Sequence, residues 1–248
     1  MHRLESVQLL RGRAFQTLVW SLLASALGGC SWSAQNANTT GVQMFQQGQY
    51  QAADTQFRNA LAADPNNADA YYNLGANYHR QWKTSGRPDD LHQAESNYQQ
   101  CLARNPQHTD CYRGMSVLLI EQGRAVDAFA LMDRWYQLNP SNPQPQIELA
   151  RMYEEFGEPE NAQKRLVDAL ALDPTNSRAM AALGRIREQS GDTAQALANY
   201  QRSLSVNPNQ PQVTARVAAL QSGAISAPGM PAPANGQRWV ATPNTVTR

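Results

Sequence analysis

The sequence predicts an all-α solenoid of helical hairpins, about five repeats long and finished by a C-terminal capping helix. Three registers running in phase carry this expectation. An Asp/Asn-Pro pair recurs at Asp64-Pro65, Asn105-Pro106, Asn139-Pro140, Asp173-Pro174 and Asn207-Pro208, with successive prolines 41, 34, 34 and 34 residues apart. Ala53, Ala94, Ala128, Ala162 and Ala196 keep the same spacing. Gly123, Gly157 and Gly191 are also 34 apart, with Gly48 in the matching place of the first repeat. A fixed period of this length is the signature of units that stack on their neighbours.

Each recurring residue has a physical task. Proline donates no backbone hydrogen bond and pushes its predecessor out of the helical region, so each Asx-Pro ends a repeat. The mid-repeat glycine suits a tight turn at positive φ and divides the repeat into two helices. The alanine five residues later opens the second helix and lets two antiparallel helices approach closely. On first helices, Tyr71, Leu74, Gly75 and Tyr78, and later Met180, Leu183 and Gly184, follow helical spacing and form an apolar face. On second helices the matching face carries Phe57, Tyr98, Met132, Leu166 and Tyr200. No repeat buries both faces alone, so neighbours must stack.

The second repeat is seven residues longer than the others. The excess lies between Tyr78 and Ala94, with His79 to Thr84 extending the first helix and Ser85-Gly86-Arg87-Pro88 breaking it. Asp89 or Asp90 then caps the next helix. Trp82 either stands exposed beside Lys83 and Arg87 as a contact point or folds back onto the longer helix. Gln212 to Gln221 reads as the capping helix, with Val213, Val217 and Leu220 on one side. Residues 222–248, rich in Pro and Ala and without periodicity, read as a disordered tail in which Trp239-Val240 is either a short docking element or an incidental apolar pair.

The N-terminus reads as an address. Arg3, Arg11 and Arg13 precede a short apolar stretch from Ala14 to Leu27, the layout of a secretory signal over residues 1–29. The ending Leu27-Gly28-Gly29-Cys30 resembles the bacterial lipobox, which implies cleavage before Cys30 and lipidation of its sulfur. Several acyl chains on one cysteine give a lasting anchor, because each buried methylene contributes about 0.8 kcal/mol. Ser31 at the following position implies the outer membrane, facing the periplasm, and residues 30–40 are expected to form a polar tether.

With Cys30 lipidated, Cys101 and Cys111 remain, five residues on either side of Pro106 and opposite one another across a helix turn. In an oxidising compartment a disulfide between them is expected.

Composition and motifs narrow the chemistry. Twenty-one Lys and Arg against 20 Asp and Glu leave a net charge of +1, so there is no electrostatic footprint for nucleic acid. The chain has no G-x-S-x-G, no G-x-x-x-x-G-K-[ST] and no H-E-x-x-H. No catalytic residue, cofactor, metal site or small-molecule substrate is expected. His79, His92 and His108 read as solvated helix or turn histidines, and Glu154-Glu155 as a solvated charge pair.

These positions resemble the tetratricopeptide repeat (TPR) family, with an aromatic at position 4, Leu-Gly at 7 and 8, Ala at 20, an aromatic at 24 and Pro at 32. Five repeats match, beginning near Ala34, Ala68, Thr109, Pro143 and Ser177, and together span 34–221 with the cap. Ser116 and Ala150 depart from glycine at position 8. Ala37 and Thr40 weaken the first repeat, whose first helix is expected to fray. The resemblance implies a concave groove lined by first helices, to which Phe45, Tyr72, His79, Arg80, Arg113, Ile120, Arg151 and Arg185 contribute. A bound peptide would set apolar anchors against Phe45, Tyr72 and Ile120 and carboxylates near Arg113, Arg151 and Arg185. The implied function is a protein-binding scaffold held at the bacterial envelope, and the combination with a lipobox resembles assembly lipoproteins of type IV and tight-adherence pili. The alternatives are an adaptor or docking subunit of an envelope peptidase or hydrolase, and a purely structural envelope lipoprotein.

Overall fold

The computed structural model describes residues 32–223. The expected signal segment, Cys30 and the tail from residue 224 onward, Trp239 and Val240 included, lie outside the described residues. Among the described residues every regular element is a helix. Helix α1 covers residues 32–46. It is followed by α2 (Tyr50–Ala63), α3 (Ala68–Ser85), α4 (Pro88–Arg104), α5 (Thr109–Glu121) and α6 (Ala125–Leu138). Then come α7 (Gln144–Glu155), α8 (Pro159–Leu172), α9 (Ser177–Gln189), α10 (Thr193–Val206) and α11 (Pro211–Gln221). None of the described helices is long and apolar enough to cross a membrane. The chain forms two compact units that divide between Gly114 and Met115, inside α5.

The Asx-Pro junctions do more than stop helices. The carboxylate or amide oxygens of Asp64, Asn105, Asp173 and Asn207 each accept the backbone N–H two residues on, at 3.0, 3.0, 3.0 and 3.1 Å. The side chain thus folds the turn around the proline, which is why Asx rather than any residue precedes it. Next comes the N-cap. Asn67 and Asn176 accept from the N–H groups of Ala70 and Ala179, at 2.9 and 3.0 Å, satisfying donors that the following helix leaves unpaired.

In the N-terminal unit, Val42, Phe45, Ala53, Phe57 and Leu74 form a buried cluster, with Met44, Tyr50, Leu61 and Tyr78 packed on it. The polar segment 32–40 is helical, not an extended tether, and α1 does not fray at Ala37 and Thr40. Two contacts explain this: Ala34 is buried, and the amide of Asn38 accepts from Asn73 Nδ2 at 2.9 Å inside the fold. The enlarged turn follows the expected break. Gly86 takes φ +69° after α3, and its N–H closes on the Trp82 carbonyl at 2.8 Å. Asp90 does not cap α4; it receives the Arg87 guanidinium at 2.8 and 3.0 Å and the Ser85 hydroxyl at 2.9 Å, which ties the loop to the helix.

Close approach decides which residues stand at position 8. A Cβ on Gly75 would lie 2.8 Å from the Tyr98 ring, and one on Gly114 equally close on that ring. In the C-terminal unit, Gly184 meets Tyr200 at 2.8 Å in the same way. Where position 24 is not aromatic, a larger residue fits: Ala150 and Leu166 share a core with Ile147, Ala162, Ala169, Ala179, Leu183 and Ile186. Helix α11 has no fully buried residue, and Val213, Val217 and Leu220 are half-buried, as suits a terminal cap.

Candidate protein-binding surfaces

In the N-terminal unit the first helices are α1 and α3. Three residues expected to greet a ligand there are instead interior: Phe45, Tyr72 and His79 are 7, 3 and 2 % exposed. Phe45 belongs to the core cluster and meets the Tyr50 ring edge-on, with centroids 5.5 Å apart. Tyr72 sits between the rings of Tyr98 and His108, at 6.1 and 5.6 Å. Burial holds its phenol neutral, pushing its titration well above the usual tyrosine range, with Asp110 adding to the shift and Arg113 opposing it. His79 packs on Trp82 at 6.0 Å and on Tyr98 at 6.4 Å. Of the two readings of Trp82, the structure shows the half-buried ring folded along α3. His79 and His108 are therefore core histidines, not solvated ones. Half-buried on α3 are Tyr71, Tyr78, Arg80 and Trp82, and at the start of α5 Arg113 holds Asp110 at 2.6 Å.

Sequence reasoning passed over the asparagines of this unit. Asn73 and Asn77 have no exposure, and Asn77 Nδ2 donates to the Tyr50 carbonyl at 2.9 Å across the turn of the preceding hairpin. Their signal was present as polar residues inside the apolar register of α3, next to Leu74 and Tyr78.

In the C-terminal unit the first helices α7 and α9, with the cap α11, carry a layered row of charges. The carboxylates lie beneath and the guanidinium groups above. Glu148, with its side chain 2 % exposed, holds Arg178 at 3.3 Å and Arg151 at 3.7 Å, while Arg178 also donates to Gln144 at 3.1 Å. Glu154 receives Arg185 at 2.9 Å. Glu188 receives Arg216 and, at 2.9 Å, the Tyr200 hydroxyl. Burial pushes that phenol up to about 12, with Arg185 pulling it down and Glu154 adding to the rise. Ile120, at the start of this unit, is half-buried.

Glu154 is not the solvated residue that the sequence suggests, although Glu155 is exposed. Its second oxygen, Oε1, is buried with no hydrogen-bond partner, and burial raises its pKa above the ordinary carboxylate value against the pull of Arg185 and Arg151. A carboxyl raised in the folded state binds protons more readily there than in the unfolded chain. Stability attributable to Glu154 is thus greatest at low pH and falls as pH climbs through the ordinary carboxylate value of 4.5 towards the raised one. Glu154→Gln should flatten that fall, and denaturant titrations of both proteins from below pH 4.5 up to neutrality check it.

The layered charges of α7 and α9 are suited to recognition. Arg151, Arg178 and Arg185 are oriented by the glutamates they pair with while their side chains stay 40, 54 and 44 % exposed, so the row presents positioned cations at the surface. One further cluster has ligand character: Cys101 and Cys111 form a disulfide, with Cα atoms 6.4 Å apart, and the ligand atoms of these two residues and His108 lie within 4.8 Å of one another.

Family profiles described as TPR repeat or tetratricopeptide repeat match residues 41–81, 89–143, 119–186 and 155–221. A crystal structure of a thermophilic TPR protein from Thermus thermophilus is 27 % identical, with a TM-score of 0.55 over 77 % of this chain and 100 % of that one. Pseudomonas aeruginosa PilF is 17 % identical, with a TM-score of 0.53 over 79 % of this chain and 86 % of that one. PilW, described as a widely conserved type IV pilus biogenesis factor, is 17 % identical, with a TM-score of 0.52 over 77 % of this chain and 87 % of that one. No curated protein matches the sequence. The repeat registers, the hairpins they build and the profiles spanning most of the chain agree: this is a member of the tetratricopeptide repeat family.

Proposed function

We propose that this TPR protein is an envelope-anchored assembly scaffold whose first helices α7 and α9 bind an extended, acidic segment of a partner protein, in the building of a pilus or secretion complex. The observation that carries the binding reading is the row Arg151, Arg178 and Arg185, each set over a shielded glutamate. A long flexible cation loses side-chain entropy when it grips a ligand, and one already oriented by a carboxylate loses less. The row therefore favours carboxylates and backbone carbonyls spaced along an extended strand. The buried aromatic residues Phe45 and Tyr72 are structural in this account, which moves recognition to the C-terminal unit.

Anchoring is supported by Leu27-Gly28-Gly29-Cys30 after a basic and apolar leader. The pilus reading is supported by the shared fold of PilF and PilW. Two variants test the parts separately. Cys30→Ala should shift the protein from the membrane fraction to the soluble envelope fraction without lowering its partner affinity in solution. Arg185→Glu should leave it membrane-bound while cutting partner recovery about tenfold or more, as expected for a desolvated charge contact. Unchanged recovery with Arg151→Glu and Arg185→Glu combined would remove the arginine row from recognition.

A further inference from the structure

The turn between α4 and α5 gathers three soft or borderline metal ligands. Cys101 lies in the last turn of α4 and Cys111 in the first turn of α5, both without exposure, and His108, 7 % exposed, stands just before α5. Their ligand atoms lie within 4.8 Å of one another. His108 is held from both sides. Its Nδ1 accepts the Cys111 backbone N–H at 3.2 Å, and its Nε2 lies 2.9 Å from Asp69 Oδ1. An acceptor Nδ1 has no proton, so the ring proton resides on Nε2 and is donated to Asp69. The lone pair then lies on Nδ1, where a cation would take the place of the Cys111 N–H, and the pairing of Nε2 with Asp69 is the carboxylate–histidine arrangement that orients metal-binding imidazoles.

We propose that the reduced form of this cluster binds a soft d10 cation, Zn2+ or Cu+, through Cys101 Sγ, Cys111 Sγ and His108, with Asp69 as a positioning residue. Disulfide and metal are then alternative states of one site. Two thiolates and an imidazole are a donor set that selects such cations over Mg2+ or Ca2+. The three donors complete a trigonal shell for Cu+ and leave Zn2+ one position for solvent. Two thiolate charges balance Zn2+ in a buried setting where an uncompensated charge is costly. The switch between states balances with a dithiol as reductant: the Cys101–Cys111 bond takes up two electrons and two protons, the dithiol becomes its own disulfide, and metal uptake then releases both thiol protons.

The test uses the full chain in detergent, carrying Cys30→Ala so that Cys101 and Cys111 are its only cysteines. It is reduced with a dithiol, freed of the dithiol without air, and dialysed against Zn2+ alone or Cu+ alone. The reduced chain should retain one equivalent of at least one of these ions, and the air-oxidised chain none. Asp69→Asn should weaken retention by about 10–100-fold, the usual effect of losing the partner of a ligating histidine. Because Asp69 lies at the surface with its side chain 44 % exposed, that variant keeps the core intact. Bound metal should also slow the reaction of the two thiols with a disulfide reagent and raise the melting temperature of the reduced chain. Equal retention by reduced and oxidised chains, retention of neither ion, or no change on Asp69→Asn would each overturn the proposal. The oxidised and reduced arms share one sequence, so a folding defect in a variant cannot imitate the result.

Discussion

Gly75→Ala should destabilise the N-terminal unit by about 1–3 kcal/mol, the usual cost of forcing extra volume into a packed interior. The added Cβ would stand 2.8 Å from Cδ1 and 2.9 Å from Cε1 of Tyr98, a ring that also packs so closely on Gly114 that a Cβ there would lie 2.8 Å from Cε1 and Cζ. Tyr98 has no exposure and lies against the rings of Tyr72 and His79, so moving it disturbs two further buried side chains. The effect belongs to the pair, and a double-mutant cycle should show it. Tyr98→Leu alone leaves a cavity, but Gly75→Ala in that background fills part of it, so the double variant should be less destabilised than the sum of the singles. Coupling of about 0.5–3 kcal/mol is expected for residues in direct contact. The fourth repeat already uses the alternative combination, with Ala150 and Leu166 both buried in one cluster. Denaturant unfolding of the four proteins measures the cycle, and strict additivity would mean that the ring does not set position 8.

Reduction of the Cys101–Cys111 bond, with a chelator present to keep metal away, should lower stability on the order of 2.5–3 kcal/mol in the chain-entropy model. The bond closes a loop with a sequence separation of 10 between α4 and α5. Its effect is largely on the unfolded chain, which regains freedom when the bond opens. Reduced wild type and the Cys101→Ala/Cys111→Ala double variant should therefore unfold at similar denaturant midpoints, both below that of the oxidised chain. Coincident midpoints for oxidised and reduced wild type would show that the bond constrains nothing that unfolding releases.

The fold was legible in the sequence to an unusual degree because its period is covalent. Asx-Pro, glycine and alanine each act within a few residues of themselves, so their spacing alone places the turns and the start of each second helix. Even the departures Ser116 and Ala150 have a local counterpart in Met132 and Leu166, the non-aromatic residues at position 24 of the same repeats. The site was harder to read because exposure depends on what arrives from elsewhere. Tyr72 has the register of a groove residue, yet Tyr98 of α4 and His108 of the turn before α5 close over it. His108 reads as a turn residue until Asp69, 39 positions earlier, reaches its ring. Glu154 reads as a surface acid until Arg185, 31 positions later, lies across it. A sequence shows the charge of such groups but not their cover, and cover decides whether they recognise a ligand or hold the structure.

The central claim is that partner recognition resides on the first helices of the C-terminal unit. It is tested most directly by site-specific photocrosslinking in native cells, with the probe at Ala181 on α9, half-buried beside Arg178 and Arg185, and a control probe at exposed Lys164 on α8. The account predicts a discrete protein adduct from Ala181, absent from Lys164 and strongly reduced by Arg185→Glu. A protein adduct of equal yield from both positions, or one from Lys164 alone with the chain folded and abundant, would contradict it.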